Sequence, residues 1–273
     1  MKLQFKQQQF QKDAVLSVVN CFEGQPLKTN RFTLERSGEI IRRAKQAAAG
    51  ASDLFEKEIF EEIGYRNSPI QISDQHVLDN IRKIQAAGEI FESSAIERPK
   101  EDTHRGYHLT VEMETGTGKT YTYIRTMYEL HKKYGWSKYI VIVPSIAIRE
   151  GVYKSFELTQ NHFQELYGHK IAPFIYNSGR PQDIENFASD SRISVMIINT
   201  QAFNARGADA RRIYQELDQF GTRKPIEIIA QTNPILIIDE PQSVDGAKTL
   251  ESMQDFAPLF TIRYSATHRV EYN

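Results

Sequence analysis

Between residues 106 and 273, short apolar runs alternate along the chain with longer amphipathic segments. The runs YIVIV, VMII and ILII are apolar at every position, which is typical of strands that helices cover on both faces. Strands that alternate with helices predict βαβ units, a parallel sheet and hence an α/β fold. The predicted strands are Tyr107–Met113, Tyr139–Val143, Ala172–Tyr176, Val195–Asn199, Ile235–Asp239 and Phe260–Ser265. The predicted helices are Lys119–Tyr134, Ile146–Tyr167 and Ala208–Phe220.

The first of these strands leaves an alternative open. Tyr107–Met113 alternates polar and apolar residues, so it is either half exposed or packed against the N-terminal region.

Residues 1–105 have a more polar pattern, with apolar residues at helical spacing. The predicted helices here are Gln11–Phe22, Ile40–Ala49, Leu54–Ile63 and Ser73–Ile90, the last beginning at a good capping residue. Glu97–Arg105 is charged and contains a proline, which is typical of an exposed connector. We therefore expect an N-terminal helix in residues 1–23, a helical insertion in residues 24–105 and the α/β domain in residues 106–273.

Composition limits the possible partners and compartments. With 34 Lys and Arg against 35 Asp and Glu, the chain is not a polycation, so contact with nucleic acid requires a local patch. The single cysteine, Cys21, cannot form an internal disulfide, which favours a reducing compartment. No apolar run approaches the roughly 20 residues that cross a bilayer, and no signal peptide is recognisable. We expect a cytoplasmic protein.

The segment METGTGKT, residues 113–120, lies between a predicted strand and a predicted helix, which is the context of a phosphate-binding loop. Its glycines let successive backbone N–H groups face phosphate oxygens, and the N-terminus of the following helix adds positive potential. The segment predicts binding of ATP and Mg²⁺, with Lys119 reaching the β- and γ-phosphates and Thr120 holding the metal. The predicted nucleotide-binding residues are Thr115, Gly116, Thr117, Gly118, Lys119 and Thr120. The alternative is an ordinary glycine turn before a helix.

The segment NPILIIDEPQ, residues 233–242, is an apolar strand that ends in two carboxylates. Asp239 can contact the metal held by Thr120, and Glu240 can orient and polarise the attacking water. An Asp-Glu pair alone often marks only the end of a strand. Combined with the loop, it predicts an ATPase whose catalytic residues are Lys119, Asp239 and Glu240.

A third motif, Ser-Ala-Thr in RYSATHR, follows the last predicted strand. In this order the loop, Asp-Glu-Pro-Gln and Ser-Ala-Thr resemble motifs I, II and III of superfamily 2 helicases and translocases. Within that group the chain resembles the Res subunits of type III restriction–modification enzymes. The segments that carry the resemblance are METGTGKTYTYIRTMYELHKKYGW, YIVIVPSIAIREGVYKSF, NPILIIDEPQSVDG and RYSATHR. It implies that residues 106–273 are the first RecA-like domain of a P-loop NTPase, with a mostly parallel sheet and helices on both faces.

The resemblance also implies roles for further residues. Phe10-Gln11-x-x-Ala14-Val15 is similar to the family's adenine-reading segment, which makes Gln11 the base contact, although a Gln-rich stretch produces such matches by chance. PSIAIR and NTQAF correspond to motifs Ia and Ib, which line the DNA path. The DNA contacts implied are Ser145, Arg149 and Thr200, with Arg149 equally readable as an ordinary solvated helix residue. Gln242, Ser265 and Thr267 are implied to couple the nucleotide state to the grip on DNA.

The implied activity is that of a DNA-dependent ATPase, the double-stranded-DNA translocase or helicase-like motor of a site-specific restriction endonuclease. Its implied partners are double-stranded DNA and a modification methyltransferase subunit. The family continues into a second RecA-like domain, which carries an arginine finger, and a nuclease domain, and we recognise neither in this sequence. We therefore expect these 273 residues alone to bind ATP and Mg²⁺ but to hydrolyse ATP slowly. The alternative function is a P-loop switch or scaffold that binds ATP to regulate a partner and does not move DNA.

Overall fold

The computed structural model describes residues 5–35, 61–99, 106–204, 209–216, 223–244 and 246–266. The strands are β1 (Thr29–Glu35), β2 (Glu61–Asn67), β3 (Tyr107–Glu112), β4 (Lys138–Val143), β5 (Ala172–Ile175), β6 (Ser194–Asn199), β7 (Ile235–Asp239) and β8 (Phe260–Ser265). The α-helices are α1 (Gln9–Asn20), α2 (Asp74–Ala87), α3 (Lys119–Tyr134), α4 (Ile146–Tyr167), α5 (Gln182–Ser189), α6 (Gln201–Asn204), α7 (Pro225–Gln231) and α8 (Ala247–Gln254). Two short 3₁₀ helices are Asp209–Tyr214 and Pro241–Ser243.

Strands β3 to β8 form one sheet in the order β3-β8-β7-β4-β6-β5, and every neighbouring pair is parallel. The six predicted strands are confirmed to within one residue at each end. Because all strands run the same way, their carboxyl ends lie along one edge of the sheet. The loops that carry the motifs leave the sheet at this edge.

Helices cover both faces of this sheet, which confirms the predicted α/β architecture. Successive residues of a strand point to opposite faces, so Val141 of β4 packs in one core while Ile140 and Ile142 pack in the other. The first core also contains buried residues of α1 to α4, and the second contains residues of α5 to α8. The near-continuous apolar runs are thus explained by burial on both faces.

Strand β3 lies at one edge of the sheet and is buried on one face only. Tyr107, Leu109 and Val111 are buried in the core that includes α1, whereas Thr110 and Glu112 are exposed. Both descriptions left open for this strand therefore hold: it is half exposed, and its buried face packs against the N-terminal helix.

The described part of the insertion differs from its all-helical prediction. Ser73 caps α2 as expected, accepting a hydrogen bond from the His76 N–H at 3.2 Å. Residues 61–63, predicted as the end of a helix, instead belong to β2, which pairs antiparallel with β1. Phe32 lies opposite Gly64, whose missing side chain leaves room for the ring. The remainder of Leu54–Ile63 and the whole predicted helix Ile40–Ala49 lie outside the described residues.

The prediction of a helix over Ala208–Phe220 is also wrong in its described part, which is the 3₁₀ helix Asp209–Tyr214. Among the described residues, four short α-helices were missed, Gln182–Ser189, Gln201–Asn204, Pro225–Gln231 and Ala247–Gln254. Each is at most eight residues long, too short for a helical apolar period to stand out.

A buried asparagine at the end of β2 fixes the insertion to the central sheet. The Asn67 Oδ1 accepts hydrogen bonds from the N–H groups of Ser137 (2.7 Å) and Lys138 (3.0 Å). Its Nδ2 donates to the carbonyls of Lys138 (2.8 Å) and Asn233 (2.9 Å). One amide side chain thus satisfies backbone groups at the amino ends of β4 and β7.

The N-terminal helix packs on α3 through Val15, Val18 and Val19, all buried. The Tyr134 hydroxyl donates to the Val19 carbonyl at 2.8 Å and ties the two helices together at one end. This packing carries the start of α1 to the loop that precedes α3. None of the helices in the described ranges combines the length and the apolar composition that a membrane crossing requires.

Candidate functional site

The predicted phosphate-binding loop connects β3 to α3 at the carboxyl edge of the sheet. Gly116 (φ 82°) and Gly118 (φ 88°) both adopt the left-handed conformation that favours glycine. A Cβ atom on Gly118 would lie 2.6 Å from Gln11 Nε2, so a larger residue there would displace the Gln11 amide, while the space beside Gly116 is open. The Thr117 hydroxyl closes the turn by donating to the Glu114 carbonyl at 2.6 Å.

Gln11, which lies 106 residues before Thr117 in the sequence, packs against this loop. Its Nε2 donates to the Thr117 carbonyl at 2.8 Å, and the side chain is buried. The amide therefore supports the loop backbone. A contact from Gln11 to adenine stays a prediction.

The acidic pair reaches the same place from the end of β7. Lys119 Nζ lies 2.9 Å from Glu240 Oε1, and the lysine side chain is only 9% exposed. Gln242 Nε2 donates to the other oxygen, Glu240 Oε2, at 2.5 Å. Glu240 itself is left-handed (φ 57°), a strained conformation for a residue other than glycine. The structure thus brings Lys119, Glu240 and Gln242 into one contiguous set of contacts.

One residue that sequence reasoning missed links the two motifs. Tyr123, fully buried on α3, places its hydroxyl 3.4 Å from Asp239 Oδ2 and near the Thr120 side chain. A tyrosine on the apolar face of a helix indicates only a core position. Nothing in the sequence predicts that this hydroxyl meets the acidic pair.

The two neighbouring carboxylates have opposite pKa shifts. Burial, together with the negative charge of Glu240, raises the pKa of Asp239 to about 6, and Lys119 offsets only part of this effect. Burial also raises the pKa of Glu240, but the hydrogen bonds from Lys119 and Gln242 outweigh it, so this pKa lies below its ordinary value. Glu240 is therefore charged at neutral pH and available as an acceptor.

The donors at this site suit a magnesium–nucleotide complex. The Thr120 hydroxyl and the Asp239 carboxylate are hard oxygen donors, which Mg²⁺ prefers. Within the part of the chain that the structure describes, no three His, Cys, Asp or Glu side chains form a metal cage. Magnesium ions in ATPases are commonly held by one or two protein oxygens together with phosphate, so a cage is not needed.

The predicted DNA contacts lie farther along the same edge, after β4 and β6. These strands end at Val143 and Asn199, which pair with each other. Ser145 caps α4, accepting from the Ile148 N–H at 3.3 Å, and Thr200 donates its N–H to the Val143 carbonyl at 3.1 Å. The three predicted residues are thus brought to one short stretch of the edge.

Arg149 is less free than a solvated helix residue, since its side chain is 19% exposed. Its guanidinium contacts Asn199 Oδ1 (3.2 Å) and Glu150 Oε1 (3.0 Å). Asn199 was not predicted as a site residue, although its position at the end of an apolar strand in NTQAF was a usable signal. Asn199 fixes the arginine at the carboxyl ends of β4 and β6.

The predicted coupling residues have different outcomes. Gln242 contacts Glu240, as described above. Ser265 ends β8, and its carbonyl accepts from the Met113 N–H at 2.9 Å, next to the phosphate-binding loop. Thr267 lies outside the described residues.

Comparisons with known proteins place these features in context. Residues 68–270 match the model of the family described as "Type III restriction enzyme, res subunit". The Res subunit of the type III restriction–modification enzyme EcoP15I from Escherichia coli is 32% identical over 225 residues, which covers 76% of this chain and 22% of that protein. The corresponding EcoPI subunit of Escherichia phage P1 is 31% identical, with the same coverage. The chain spans about a fifth of the length of these curated relatives.

Among solved structures, a nuclease-deletion mutant of the Type ISP restriction–modification enzyme LlaGI, in complex with a DNA substrate mimic, aligns at 13% identity. The TM-score is 0.40, and the alignment covers 74% of this chain and 18% of that one.

Proposed function

Since the chain belongs to the family of type III restriction enzyme Res subunits, we propose that it is the ATP-binding motor module of such a subunit. In the whole enzyme this module hydrolyses ATP in response to double-stranded DNA and drives translocation along it, together with a modification methyltransferase subunit. One observation carries the proposal: Lys119 of the phosphate-binding loop and Glu240 of the acidic pair, far apart in sequence, lie 2.9 Å apart.

In this proposal the loop residues 115–120 bind the phosphates with their N–H groups, and Lys119 neutralises the β- and γ-phosphates. Thr120 and Asp239 would hold Mg²⁺, which would supply positive charge to the transferring phosphoryl group. Glu240 orients and polarises the attacking water. Lys119 has three N–H donors, and turning one of them from Glu240 to a phosphate oxygen leaves that Glu240 oxygen for water.

The DNA path in this proposal runs past Ser145, Arg149 and Thr200. Hydroxyls, loop N–H groups and a guanidinium hold backbone phosphates without reading the base sequence. Gln242 and Ser265, together with Thr267, transmit the nucleotide state to this path. Gln11 adds selectivity for adenine, because an amide can donate to and accept from the base edge.

Nucleotide binding tests the site directly. In isothermal titrations with a slowly hydrolysed ATP analogue and Mg²⁺, Lys119→Ala is expected to weaken binding by about tenfold or more, the equivalent of one charge-assisted contact. Glu240→Gln is expected to keep or improve the affinity, because Lys119 no longer has a competing carboxylate. Lys132→Ala, at an exposed lysine of the same helix, is the control. Unchanged binding by Lys119→Ala would overturn the assignment of the loop.

Hydrolysis separates a motor from a switch. In the full-length protein with its methyltransferase, ATP turnover is expected to rise when duplex DNA is added and to fall by about 10²- to 10⁴-fold in Glu240→Gln, the usual contribution of a general base. Duplex binding is measured with and without the ATP analogue at a stated salt concentration. Absence of duplex binding in both conditions would instead support the regulatory switch.

A further inference from the structure

Tyr123 is a fully buried side chain that lies beside both groups assigned to the magnesium ion. It lies one turn after Lys119 on α3, and its hydroxyl is 3.4 Å from Asp239 Oδ2. The Thr120 side chain lies near the same hydroxyl. The oxygen–oxygen distance to Asp239 is long for a hydrogen bond, as is common in catalytic sites before the ligand tightens them.

A buried phenol hydroxyl is costly unless it forms hydrogen bonds, and phenylalanine would fill the same space without that cost. The ring of Tyr123 is fixed in place by Tyr264, with ring centroids 5.5 Å apart. The Tyr264 hydroxyl in turn bonds to the Thr126 hydroxyl at 3.1 Å, so it does not share the contact with Asp239. The Tyr123 hydroxyl is thus held at one point between the loop and the acidic pair.

The Tyr123 hydroxyl donates its hydrogen bond to one oxygen of Asp239, Oδ2. This bond restricts the rotation of the carboxylate and does not use its other oxygen, Oδ1. A carboxylate held in one orientation is better prepared to bind a metal than one that rotates freely.

We propose that Tyr123 is a positioning residue of the magnesium site, which lies beside Thr120 and orients the Asp239 carboxylate through the hydrogen bond from its hydroxyl. This inference rests on the proposed ATPase function, since it assigns the metal to those two residues. Partners that orient metal ligands typically contribute 10- to 100-fold to metal affinity. Tyr123 therefore acts on the metal rather than on the phosphates.

The test removes one oxygen atom. Tyr123→Phe is made in the full-length protein and compared with Tyr139→Phe, an equally buried tyrosine of the same core whose hydroxyl donates to the Met127 and Trp136 carbonyls. Mn²⁺ is titrated into the ADP-bound protein and followed by electron paramagnetic resonance, and ADP affinity is measured separately without metal. Tyr123→Phe is expected to weaken Mn²⁺ binding by about 10- to 100-fold while leaving metal-free ADP affinity unchanged. Tyr139→Phe is expected to leave both unchanged.

The outcomes are distinguishable. Wild-type Mn²⁺ affinity in Tyr123→Phe overturns the inference and leaves the ATP site intact. Equal losses with and without metal also overturn it, because they indicate a general effect on packing. Failure of the wild-type protein to bind ADP overturns the proposed function itself. In hydrolysis assays the expected signature is a higher half-saturating Mg²⁺ concentration, with the rate restored at high Mg²⁺.

Discussion

Lys138 is a lysine whose side chain is fully buried at the start of a central strand. Its Nζ donates to the carbonyls of Phe187 and Asp190, each at 2.5 Å, and lies 5.3 Å from the centre of the Phe187 ring. Burial lowers its pKa from 10.5 to about 7, and the charge of Asp190 offsets only part of this effect. The unfolded chain therefore binds more protons than the folded protein between these two pH values.

This difference predicts a pH-dependent stability with a definite sign. The contribution of Lys138 to the free energy of unfolding is expected to rise as the pH increases from 7 to 10, by roughly 3 kcal/mol, since one pKa unit corresponds to about 1.4 kcal/mol. Well below pH 7 this contribution is constant. In urea unfolding at a series of pH values, the free energy of unfolding of the wild type relative to Lys138→Met is expected to show this rise, whereas Lys154→Met, at an exposed lysine, follows the wild type. A slope in Lys138→Met equal to that of the wild type would contradict the assignment.

At the residue scale, the sequence predicted those site residues whose location follows from their position at the end of a predicted strand or in the loop after it. Lys119 follows a glycine loop and Asp239 ends an apolar run, so parallel strands carry both to the same edge. Tyr123 and Asn199 were missed because their roles depend on which strand lies beside which helix. That information is in the tertiary packing and leaves no periodic trace in the sequence.

At the scale of elements, the glycines that end α3 and α4 can be compared directly, because they have the same backbone conformation but different surroundings. Gly135 and Gly168 cap the two helices, and each has φ of +80°. A Cβ on Gly135 would lie 2.7 Å from the Lys28 carbonyl oxygen, whereas a Cβ on Gly168 would meet nothing within 4 Å. The first glycine thus serves both a left-handed turn and a close approach of the backbone, and the second serves the turn alone.

Alanine at the two caps is expected to separate these effects. Gly168→Ala should lower the free energy of unfolding by about 1–2 kcal/mol, the cost of the left-handed conformation. Gly135→Ala should cost a further 1–3 kcal/mol or so, because the carbonyl of Lys28 must move. Chemical denaturation of both variants measures the difference. Equal losses of free energy of unfolding in the two variants would show that the backbone at Lys28 moves aside without a cost in stability.

The strands buried on both faces were predicted well, whereas strands β1 and β2, which lie outside the central sheet, were not predicted. Strands β4, β6 and β7 are apolar throughout, a pattern that helix burial on both faces requires. Strands β1 and β2 are mixed in composition, and they form because each pairs with the other. Such pairing depends on contacts distant in sequence, so the period of the local pattern cannot reveal it.

At the scale of the whole molecule, the proposal assigns ATP to one α/β domain and expects a catalytic arginine from a second. An arginine of this kind accounts for about 10³- to 10⁵-fold in rate. A protein of residues 1–273 is therefore expected to bind ATP and Mg²⁺ normally but to hydrolyse ATP at least about 10³-fold more slowly than the full-length enzyme with DNA. Steady-state phosphate release measures the hydrolysis rate of each of the two proteins. DNA-stimulated turnover near ~10 s⁻¹ by these residues alone would refute the expectation.

The strand order separates two groups of loops at the carboxyl edge of the sheet. The loops after β3, β8 and β7 carry the residues proposed to bind and sense ATP, and the loops after β4 and β6 carry the residues proposed to contact DNA. Within the sheet the two groups are neighbours only where β7 pairs with β4, with Ile238 beside Ile142. Neighbouring strands are about 4.8 Å apart. In the proposed function, a displacement of the chain after Asp239 therefore has only one strand width to cross to reach the chain after Val143, and it can pass along the edge of the sheet without repacking the core.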